Sequence, residues 1–329
     1  MRSILKILIL LIFPFILSNC SSPQPEVMTE NPIKPMDPTK AVLAYKIDAQ
    51  LGEGAFWNHL TQEFFWIDIE GKLFHIYNPA TKTNRSFPTP SRIGTVVPSG
   101  DQEALIALED GMYTINTESG EIKLFSAVEA DIPENRFNDG KCDPAGRLWV
   151  GSMHLGQSSG KASLYKIDHD GTATKMLENI TISNGIVWTS DQKTMYYIDT
   201  PTSKIKAFDF DKASGMISNE RIAVEVPISL GYPDGMAIDE NDRLWVGMWN
   251  GNAVAHFDPN TGKLISKIEV PAQNVTACAF GGANLDTLYI TTASVQMSPE
   301  GKIAYPDAGS VFMAIPGVKG VKSPMFLKK

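Results

Sequence analysis

Four polar residues that can supply an oxygen ligand recur at one place in a repeated unit: Glu53, Asn138, Asn184 and Asp234. Glu53, Asn184 and Asp234 are each followed directly by Gly, and Asn138 is followed by Asp139 and then Gly140. A polar residue before Gly usually forms a turn. Glu53, however, is not a turn-forming residue, and the same placement in four units favours a shared site over four unrelated turns.

Oxygen donors of this kind suit a hard divalent cation. Ca²⁺ takes six to eight oxygens from carboxylates, amide carbonyls and water at ~2.3–2.6 Å. No His or Cys falls at these positions, which disfavours a dedicated zinc or copper site. We therefore expect one divalent cation, with Ca²⁺ favoured and Zn²⁺, Mg²⁺ or Mn²⁺ as alternatives.

The repeat itself predicts the fold. The segments DPAGRLWVGSM (143–153) and DENDRLWVGMW (239–249) match with an offset of 96 residues. Unit starts at Glu53, Thr95, Asn138, Asn184, Asp234 and Thr276 give spacings of 42, 43, 46, 50 and 42 residues. Each unit has about four short strands with period-2 alternation between turns, which is typical of propeller blades. The sequence predicts an all-β, six-bladed β-propeller with four-stranded blades over 41–329, in which equivalent inner-strand positions converge on a central channel.

Several long stretches resemble the gluconolactonase and senescence marker protein (regucalcin) family, which includes luciferin-regenerating enzymes. The most specific are LGEGAFWN, NRFNDGKCDPAGRLWVGSM, ISNGIVWTSDQKTMYYIDT, GYPDGMAIDENDRLWVG and FGGANLDTLYITTAS, which together span nearly the whole propeller region. The resemblance implies a six-bladed propeller with one divalent cation at the channel, and a hydrolase of lactones such as sugar lactones.

The same resemblance implies roles for single residues. By motif, Glu53, Asn184 and Asp234 would be the metal ligands, and Asp234 would also accept a proton. Arg136 and Asn138 would contact the substrate. The family's acidic substrate contact after Gly-Thr-Met has no clear counterpart in GSMHLGQSSGKASLY. His154 is a candidate substrate contact for a separate reason, because it follows Gly-Ser-Met at the start of a loop expected over the channel mouth.

Together, these implied roles suggest a mechanism for opening a lactone ring. A divalent cation polarises an ester carbonyl and stabilises the oxyanion that forms when water adds. Asp234 would take a proton from that water, although a carboxylate bound to a cation is a weakened base, so hydroxide on the cation is the alternative. A nucleophilic triad is disfavoured, because there is no G-x-S-x-G segment and the five His residues are scattered.

Two other functions remain open on the same scaffold. One is a non-catalytic propeller that binds a divalent cation or another ligand, and the other is a hydrolase of aryl esters or phosphotriesters. The complete set with Arg136 favours catalysis, because a structural ion does not need an arginine beside it.

The N-terminus predicts export and lipid anchoring. Residues 1–19 combine a basic start (Arg2, Lys6) with a short apolar stretch over residues 7–17, typical of a lipoprotein signal peptide. The segment ends in Leu-Ser-Asn-Cys, so we expect Cys20 to be lipidated and residues 20–40, rich in Pro, to be a flexible tether. The protein would then be exported and held at a bacterial cell envelope through its lipid alone.

The charge restricts the partners. A net charge of −8 and a pI near 5.2 give no basic surface for nucleic acid. The expected partner is a small lactone or ester, and a propeller that closes on itself is expected to be a monomer. Cys142 and Cys278 have no CxxC spacing, and we expect them to be buried free thiols.

Overall fold

The structure is a computed structural model that describes residues 37–328. The predicted signal peptide, the predicted lipidation residue Cys20 and most of the predicted tether lie outside the described residues. Within 37–328, no helix is long and apolar enough to cross a membrane.

The described chain forms six antiparallel sheets of four strands, which confirms the predicted six-bladed β-propeller. Each inner strand contacts the inner strands of the two neighbouring blades, so the six close into a ring. The inner strands are β2 (Gly52–Asn58), β6 (Thr95–Pro98), β10 (Asn135–Cys142), β14 (Ser183–Trp188), β18 (Tyr232–Ile238) and β22 (Asn274–Gly281). The second strands are β3 (Glu63–Asp68), β7 (Glu103–Leu108), β11 (Leu148–His154), β15 (Thr194–Asp199), β19 (Leu244–Trp249) and β23 (Thr287–Ala293).

The outer half of each blade follows the same order. The third strands are β4 (Leu73–Asn78), β8 (Gly111–Asn116), β12 (Ala162–Ile167), β16 (Lys204–Asp211), β20 (Ala253–Asp258) and β24 (Val311–Ala314). The outermost strands are β5 (Thr83–Pro88), β9 (Ile122–Ala127), β13 (Ala173–Ile180), β17 (Met216–Glu225), β21 (Lys263–Glu269) and β1 (Val42–Tyr45). The helical elements of the described chain are α1 (Pro299–Ala304) and two 3₁₀ turns, Thr200–Thr202 and Ile228–Leu230.

The sixth blade takes its outermost strand from the start of the propeller. Strand β1 pairs antiparallel with β24, so the two ends of the propeller chain are joined in one sheet. The repeat in the sequence did not predict this exchange, because β1 lies before the first unit start. The pairing closes the ring and fixes where the first and last blades meet.

Burial explains why the strands take these places. Every inner strand is almost wholly buried, whereas the outermost β5, β13 and β21 are largely exposed or half-exposed. The matching DPAGRLW and DENDRLW segments end β10 and β18 with the same turn. In both, an Asp side chain accepts from the backbone of the turn and from a Trp indole, as Asp143 does from Trp149 and Asp239 from Trp245. These Trp residues are thereby fixed between blades. Cys142 and Cys278 are buried free thiols, as predicted.

Five of the six inner strands carry a β-bulge near the start of the strand. The register with the second strand shifts by one residue beside Glu53, Asn138, Asn184, Asp234 and Thr276. Strand β6 pairs with β7 without a shift. A bulge re-aims the side chain at its position and increases the local twist. The repeated polar positions therefore share one backbone device as well as one place in the blade.

The C-terminal segment crosses the opposite end of the propeller from these bulges. It contacts the turns that follow β18 and β22 through Lys319 and Gly320, and then reaches the ends of β6 and β10, where Phe326 donates to the Pro98 carbonyl. Phe326 is 1% exposed and packs into the hydrophobic core of the first three blades. The segment thus ties together blades on opposite sides of the ring.

Candidate metal and substrate site

A cavity of about 730 Å³ opens at the end of the channel where the inner strands begin. Five of the predicted site residues line it and are all buried: Glu53, Arg136, Asn138, Asn184 and Asp234. They come from β2, β10, β14 and β18, four separate blades. The structure therefore brings together residues that lie up to 181 positions apart in the chain.

A chain of hydrogen bonds orients the amides of the site. Arg136 Nη1 donates to Asn138 Oδ1 at 2.7 Å, and Asn138 Nδ2 donates to Asn184 Oδ1 at 3.0 Å and to the Ser183 carbonyl at 2.7 Å. Both ends of the Asn138 amide are thus engaged with the protein. In this structure Asn138 links the predicted substrate-binding Arg136 to the predicted ligand Asn184.

Thr200 completes this chain and was missed by the sequence analysis. Asn184 Nδ2 donates to Thr200 Oγ1 at 2.8 Å, and that hydroxyl donates to the Pro233 carbonyl at 2.8 Å. With its nitrogen held by Thr200 and one lone pair of its oxygen taken by Asn138, the Asn184 amide keeps the second lone pair of that oxygen for a ligand. The repeat did contain a signal for Thr200. Asp68 and Asp199 end equivalent strands, and the residue that follows is the apolar Ile69 in one unit but the hydroxyl-bearing Thr200 in the other.

The two acidic residues of the site contact each other. The carboxyl groups of Glu53 and Asp234 lie within hydrogen-bonding reach, and burial raises the pKa of both above the usual range. Repulsion by Asp139 adds to the rise for Glu53, and repulsion by Glu53 adds to the rise for Asp234. Asp139, one residue beyond Asn138, adds a third buried carboxyl, and burial raises its pKa as well. Its Oδ2 has no hydrogen-bond partner within the described chain. Three buried carboxyl groups, those of Glu53, Asp139 and Asp234, therefore lie near the single buried guanidinium of Arg136 at this end of the channel.

These features fit a divalent cation. Among residues 37–328, no group of three or more His, Cys, Asp or Glu is placed to hold a metal ion. The donor set is instead two carboxylates and one amide oxygen, from Glu53, Asp234 and Asn184, which matches the preference of Ca²⁺ and Mg²⁺ for oxygen. Such an ion would offset the negative charge of the buried carboxylates.

Arg136 has hydrogen-bond donors to spare. Its two hydrogen bonds, to Asn138 and to the Phe137 carbonyl at 2.9 Å, both use Nη1. Nε and Nη2 donate to no protein atom of the described chain, although Arg136 is 7% exposed and lines the cavity. Burial lowers the pKa of Arg136 to about 10, so the guanidinium remains charged at neutral pH. A ligand oxygen is the natural acceptor for these free donors.

His154 is not brought to the cavity. It is the last residue of β11, and its Nδ1 accepts a hydrogen bond from the Gly156 amide at 3.0 Å. Its neighbours Met153 and Leu155 line the cavity instead. Met153 pairs with Arg136 across the strands, and successive side chains of a strand point to opposite faces, so the side of β11 that faces Arg136 belongs to Met153. The structure gives no support to the predicted substrate contact at His154.

Two of the glycines that follow the polar residues, Gly185 and Gly235, are required for close approach between blades. A Cβ on Gly185 would lie 2.8 Å from the Asp234 carbonyl oxygen and 2.6 Å from Met236 Cβ. A Cβ on Gly235 would lie 2.5 Å from Ala277 Cβ in the next blade. Distances below 3 Å are not tolerated without movement. These Asn-Gly and Asp-Gly pairs are thus strand residues at blade interfaces, and the interpretation of them as simple turns is wrong.

We expect Gly185→Ala to lower the free energy of unfolding by about 1–3 kcal/mol, because the added methyl overpacks the interface between two blades. The same displacement would move the adjacent Asn184. Urea unfolding followed by circular dichroism measures the change. Gly100→Ala is the matched control, since the nearest atom to its Cβ is 4.0 Å away, and an equal loss in both variants would contradict this account.

Comparison with known proteins supports the same assignment of fold and family. Residues 51–294 match the family described as the SMP-30/Gluconolactonase/LRE-like region. A putative sugar lactone lactonase, YvrE, from Bacillus subtilis is 39% identical over 274 residues, covering 83% of this chain and 94% of that protein. Regucalcin from Xenopus laevis is 33% identical over 283 residues, covering 84% of this chain and 95% of regucalcin.

Solved structures give the same result. The crystal structure of a calcium-binding regucalcin from Agrobacterium tumefaciens superposes with a TM-score of 0.82 at 28% identity, covering 86% of this chain and 96% of that one. A luciferin-regenerating enzyme superposes with a TM-score of 0.79 at 32% identity, covering 88% of this chain and 100% of the enzyme. The chain therefore belongs to the SMP-30/gluconolactonase/LRE-like family.

Proposed function

We propose that this protein is a divalent-cation-dependent hydrolase of lactones. The family is gluconolactonase-like, which supports lactone hydrolysis for its members as a group. The observation that carries the proposal for this chain is the convergence of Glu53, Asn184 and Asp234 beside the unpaired donors of Arg136, at the floor of an open cavity. Such a convergence would bring the ligands of a cation and an anchor for the substrate into one space, as the proposed reaction requires.

Glu53, Asn184 and Asp234 would hold the cation through their side-chain oxygens. A divalent cation there would polarise the lactone carbonyl and stabilise the negative charge that develops on its oxygen. Ca²⁺ is our preferred ion, and the calcium-binding regucalcin structure is consistent with that choice.

Asp234 would accept the proton of the attacking water, since it lies at the cavity floor next to the other acidic residue, Glu53. Arg136 would hold a substrate oxygen through Nε and Nη2, which donate to no protein atom of the described chain. Asn138 and Thr200 would act through their neighbours: Asn138 fixes Arg136, and Thr200 fixes the rotamer of Asn184. Such fixed donors need no reorganisation when charge develops.

We further propose that the protein is exported, lipidated at Cys20 and active as a monomer attached to a bacterial cell envelope through that lipid. The support is the basic and apolar pattern of residues 1–19 and the Leu-Ser-Asn-Cys segment. Mass spectrometry of the purified protein would test it. A diacylated N-terminal peptide beginning at Cys20 is expected, and an unmodified Cys20 within an intact N-terminus would contradict it.

Removal of the metal tests the main proposal. After exhaustive chelation, we expect the purified protein to lose lactone hydrolysis, and re-addition of Ca²⁺, Mg²⁺, Mn²⁺ or Zn²⁺ singly to restore it, because the cation supplies the stabilisation of the oxyanion. Release of acid from a panel of γ- and δ-lactones measures the rate. A rate that chelation leaves unchanged would contradict the proposal.

The same experiment separates the alternatives. If the cation raises the unfolding temperature but none of the lactones is opened, the protein is a cation-binding propeller without this activity. Phenyl acetate and a phosphotriester, assayed in parallel, test whether another ester class is the better substrate. Preference for either over every lactone would move the function to that class.

A further inference from the structure

The cavity has a second tier of side chains above the predicted cation ligands. Along a strand, residues two apart lie on the same face, about 7 Å from each other. Two residues before Glu53, Asn138, Asn184 and Asp234 come Leu51, Arg136, Ile182 and Tyr232, respectively, and all four line the cavity. Three of these four positions are apolar or aromatic, and Arg136 is the exception.

The second strands extend the same surface. Met153 pairs with Arg136 across β10 and β11, and Trp249 pairs with Tyr232 across β18 and β19. Both side chains line the cavity. Met153 and Trp249 also correspond to each other in the repeat, with the offset of 96 residues seen above. We call Leu51, Met153, Ile182, Tyr232 and Trp249 the apolar wall.

Few polar side chains beside the apolar wall are free to bind the several hydroxyl groups of a sugar lactone. Glu53 and Asp234 are needed for the cation, and the other carboxylate among the lining residues, Glu70, is ion-paired with Arg92 at 3.0 Å. Arg92 also pairs with Glu109 at 3.0 Å. The remaining amides of the lining lie exposed at the rim: Gln50, Gln157, Asn250 and Gln296.

The apolar wall would contact the ring substituents of a substrate that binds at the predicted cation ligands. A ring whose carbonyl lies at the cation and Arg136 would point its substituents toward Ile182, Tyr232 and Trp249. Hydroxyl groups packed against Ile182 or against the ring faces of Tyr232 and Trp249 would lose water without gaining hydrogen bonds, which is unfavourable. Alkyl or aryl groups would gain from burial in the same place. A cavity of about 730 Å³ has room for such a substituent in addition to the lactone ring.

We propose that the cavity selects lactones whose ring carries an alkyl or aryl substituent, in preference to polyhydroxylated sugar lactones. This inference rests on the proposed lactone hydrolase function. In the reaction, water adds hydroxide to the acyl carbon, the bond between that carbon and the ring oxygen breaks, and the ring oxygen takes the second proton. The product is a hydroxy acid that carries the apolar substituent.

A ring-matched substrate series tests the proposal with the full-length protein loaded with Ca²⁺. The γ-lactones with methyl, butyl and hexyl substituents are compared with D-galactono-1,4-lactone, which has the same ring with hydroxyl groups. We expect kcat/KM to rise about threefold for each added methylene until the wall is covered. The hexyl lactone should exceed galactonolactone by a factor of ten or more. A higher kcat/KM for galactonolactone, or no rise with chain length, would overturn the inference.

Variants assign the effect to the wall. Trp249→Ala and, separately, Tyr232→Ala should lower the ratio of kcat/KM for the hexyl lactone to that for the methyl lactone by about tenfold. Each substitution removes aromatic surface from the place where the alkyl substituent would bind. Leu124→Ala is the control, because Leu124 is 59% exposed on β9 and is not among the cavity residues. An unchanged ratio in both wall variants would also overturn the inference.

Binding of unreactive rings distinguishes this inference from the proposed function. Cyclopentanone and 2-hexylcyclopentanone are titrated calorimetrically into the same Ca²⁺-loaded protein, and the hexyl ketone is expected to bind more tightly. If the hexyl ketone is preferred but no lactone is hydrolysed, the proposed function fails while the binding preference is upheld. If lactones are hydrolysed but neither kcat/KM nor binding depends on the alkyl chain, the inference alone fails.

Discussion

Asp234→Asn is expected to lower kcat/KM for lactones by about a thousandfold, the largest loss of activity that we predict for a single substitution. The amide keeps the size of the side chain but cannot accept a proton at neutral pH. It also removes one of the two carboxylates that would hold the cation, so the affinity for Ca²⁺ falls at the same time. Initial rates at saturating Ca²⁺ and calorimetric titration of the ion measure the two losses separately.

The same variant should be at least as stable as the parent in the absence of the cation. Burial raises the pKa of both Asp234 and Glu53, and repulsion by Glu53 raises that of Asp234 further, so a neutral amide at position 234 removes a buried group whose charged form is disfavoured. Asp101→Asn, on an exposed turn, is the control for loss of a carboxylate. More than a tenth of the parent activity in Asp234→Asn at saturating Ca²⁺ would show that another group takes the proton.

The repeat predicted the centre of the site well, for a geometric reason. In a propeller, equivalent positions of successive inner strands must meet around one axis. Recognising that the units repeat every 40–50 residues was therefore enough to predict that Glu53, Asn184 and Asp234 lie close together, and all three line one cavity. The outcome did not require any knowledge of loops, because all three residues lie on strands that are fixed by the ring.

The parts that sequence reasoning missed are those that depend on neighbouring strands and not on the repeat. Thr200 orients Asn184 from the turn that follows β15, and their hydrogen bond depends on side-chain rotamers that the repeat does not fix. His154 was assigned to the cavity by its place near a loop, whereas cross-strand pairing gives that place to Met153. The side of a strand that faces a site is decided by register, and a single residue of shift reverses it.

The two ends of the propeller chain show the same limit. Strand β1 lies before the first unit start and the segment around Phe326 lies beyond the last strand of the repeat, so the repeat does not say where either one packs. Both are placed by long-range contacts: β1 through its pairing with β24, and the C-terminal segment through its contacts with blades that are far apart in sequence. They close the fold, and their effects should be on stability and not on chemistry.

Phe326→Ala is accordingly expected to lower the free energy of unfolding by about 3–5 kcal/mol. Phe326 is 1% exposed and packs edge-on against Phe125, with ring centroids 5.6 Å apart. Its ring is part of the hydrophobic core shared by the first three blades. Its neighbour Leu327 is 60% exposed, and Leu327→Ala is the control, with an expected loss of less than about 1 kcal/mol. Urea midpoints of the two variants and the parent give the comparison.

The location of Phe326 also predicts what this substitution should leave unchanged. The site lies where the inner strands begin, whereas Phe326 bonds to Pro98 at the end of β6, on the opposite end of the propeller. Below its unfolding transition, Phe326→Ala should therefore retain the parent kcat for lactones, while Asp234→Asn loses activity without losing stability. If Phe326→Ala instead lowers kcat severalfold in the folded protein, the two ends of the propeller are coupled. The segments that close the ring and the reaction site would then not be independent.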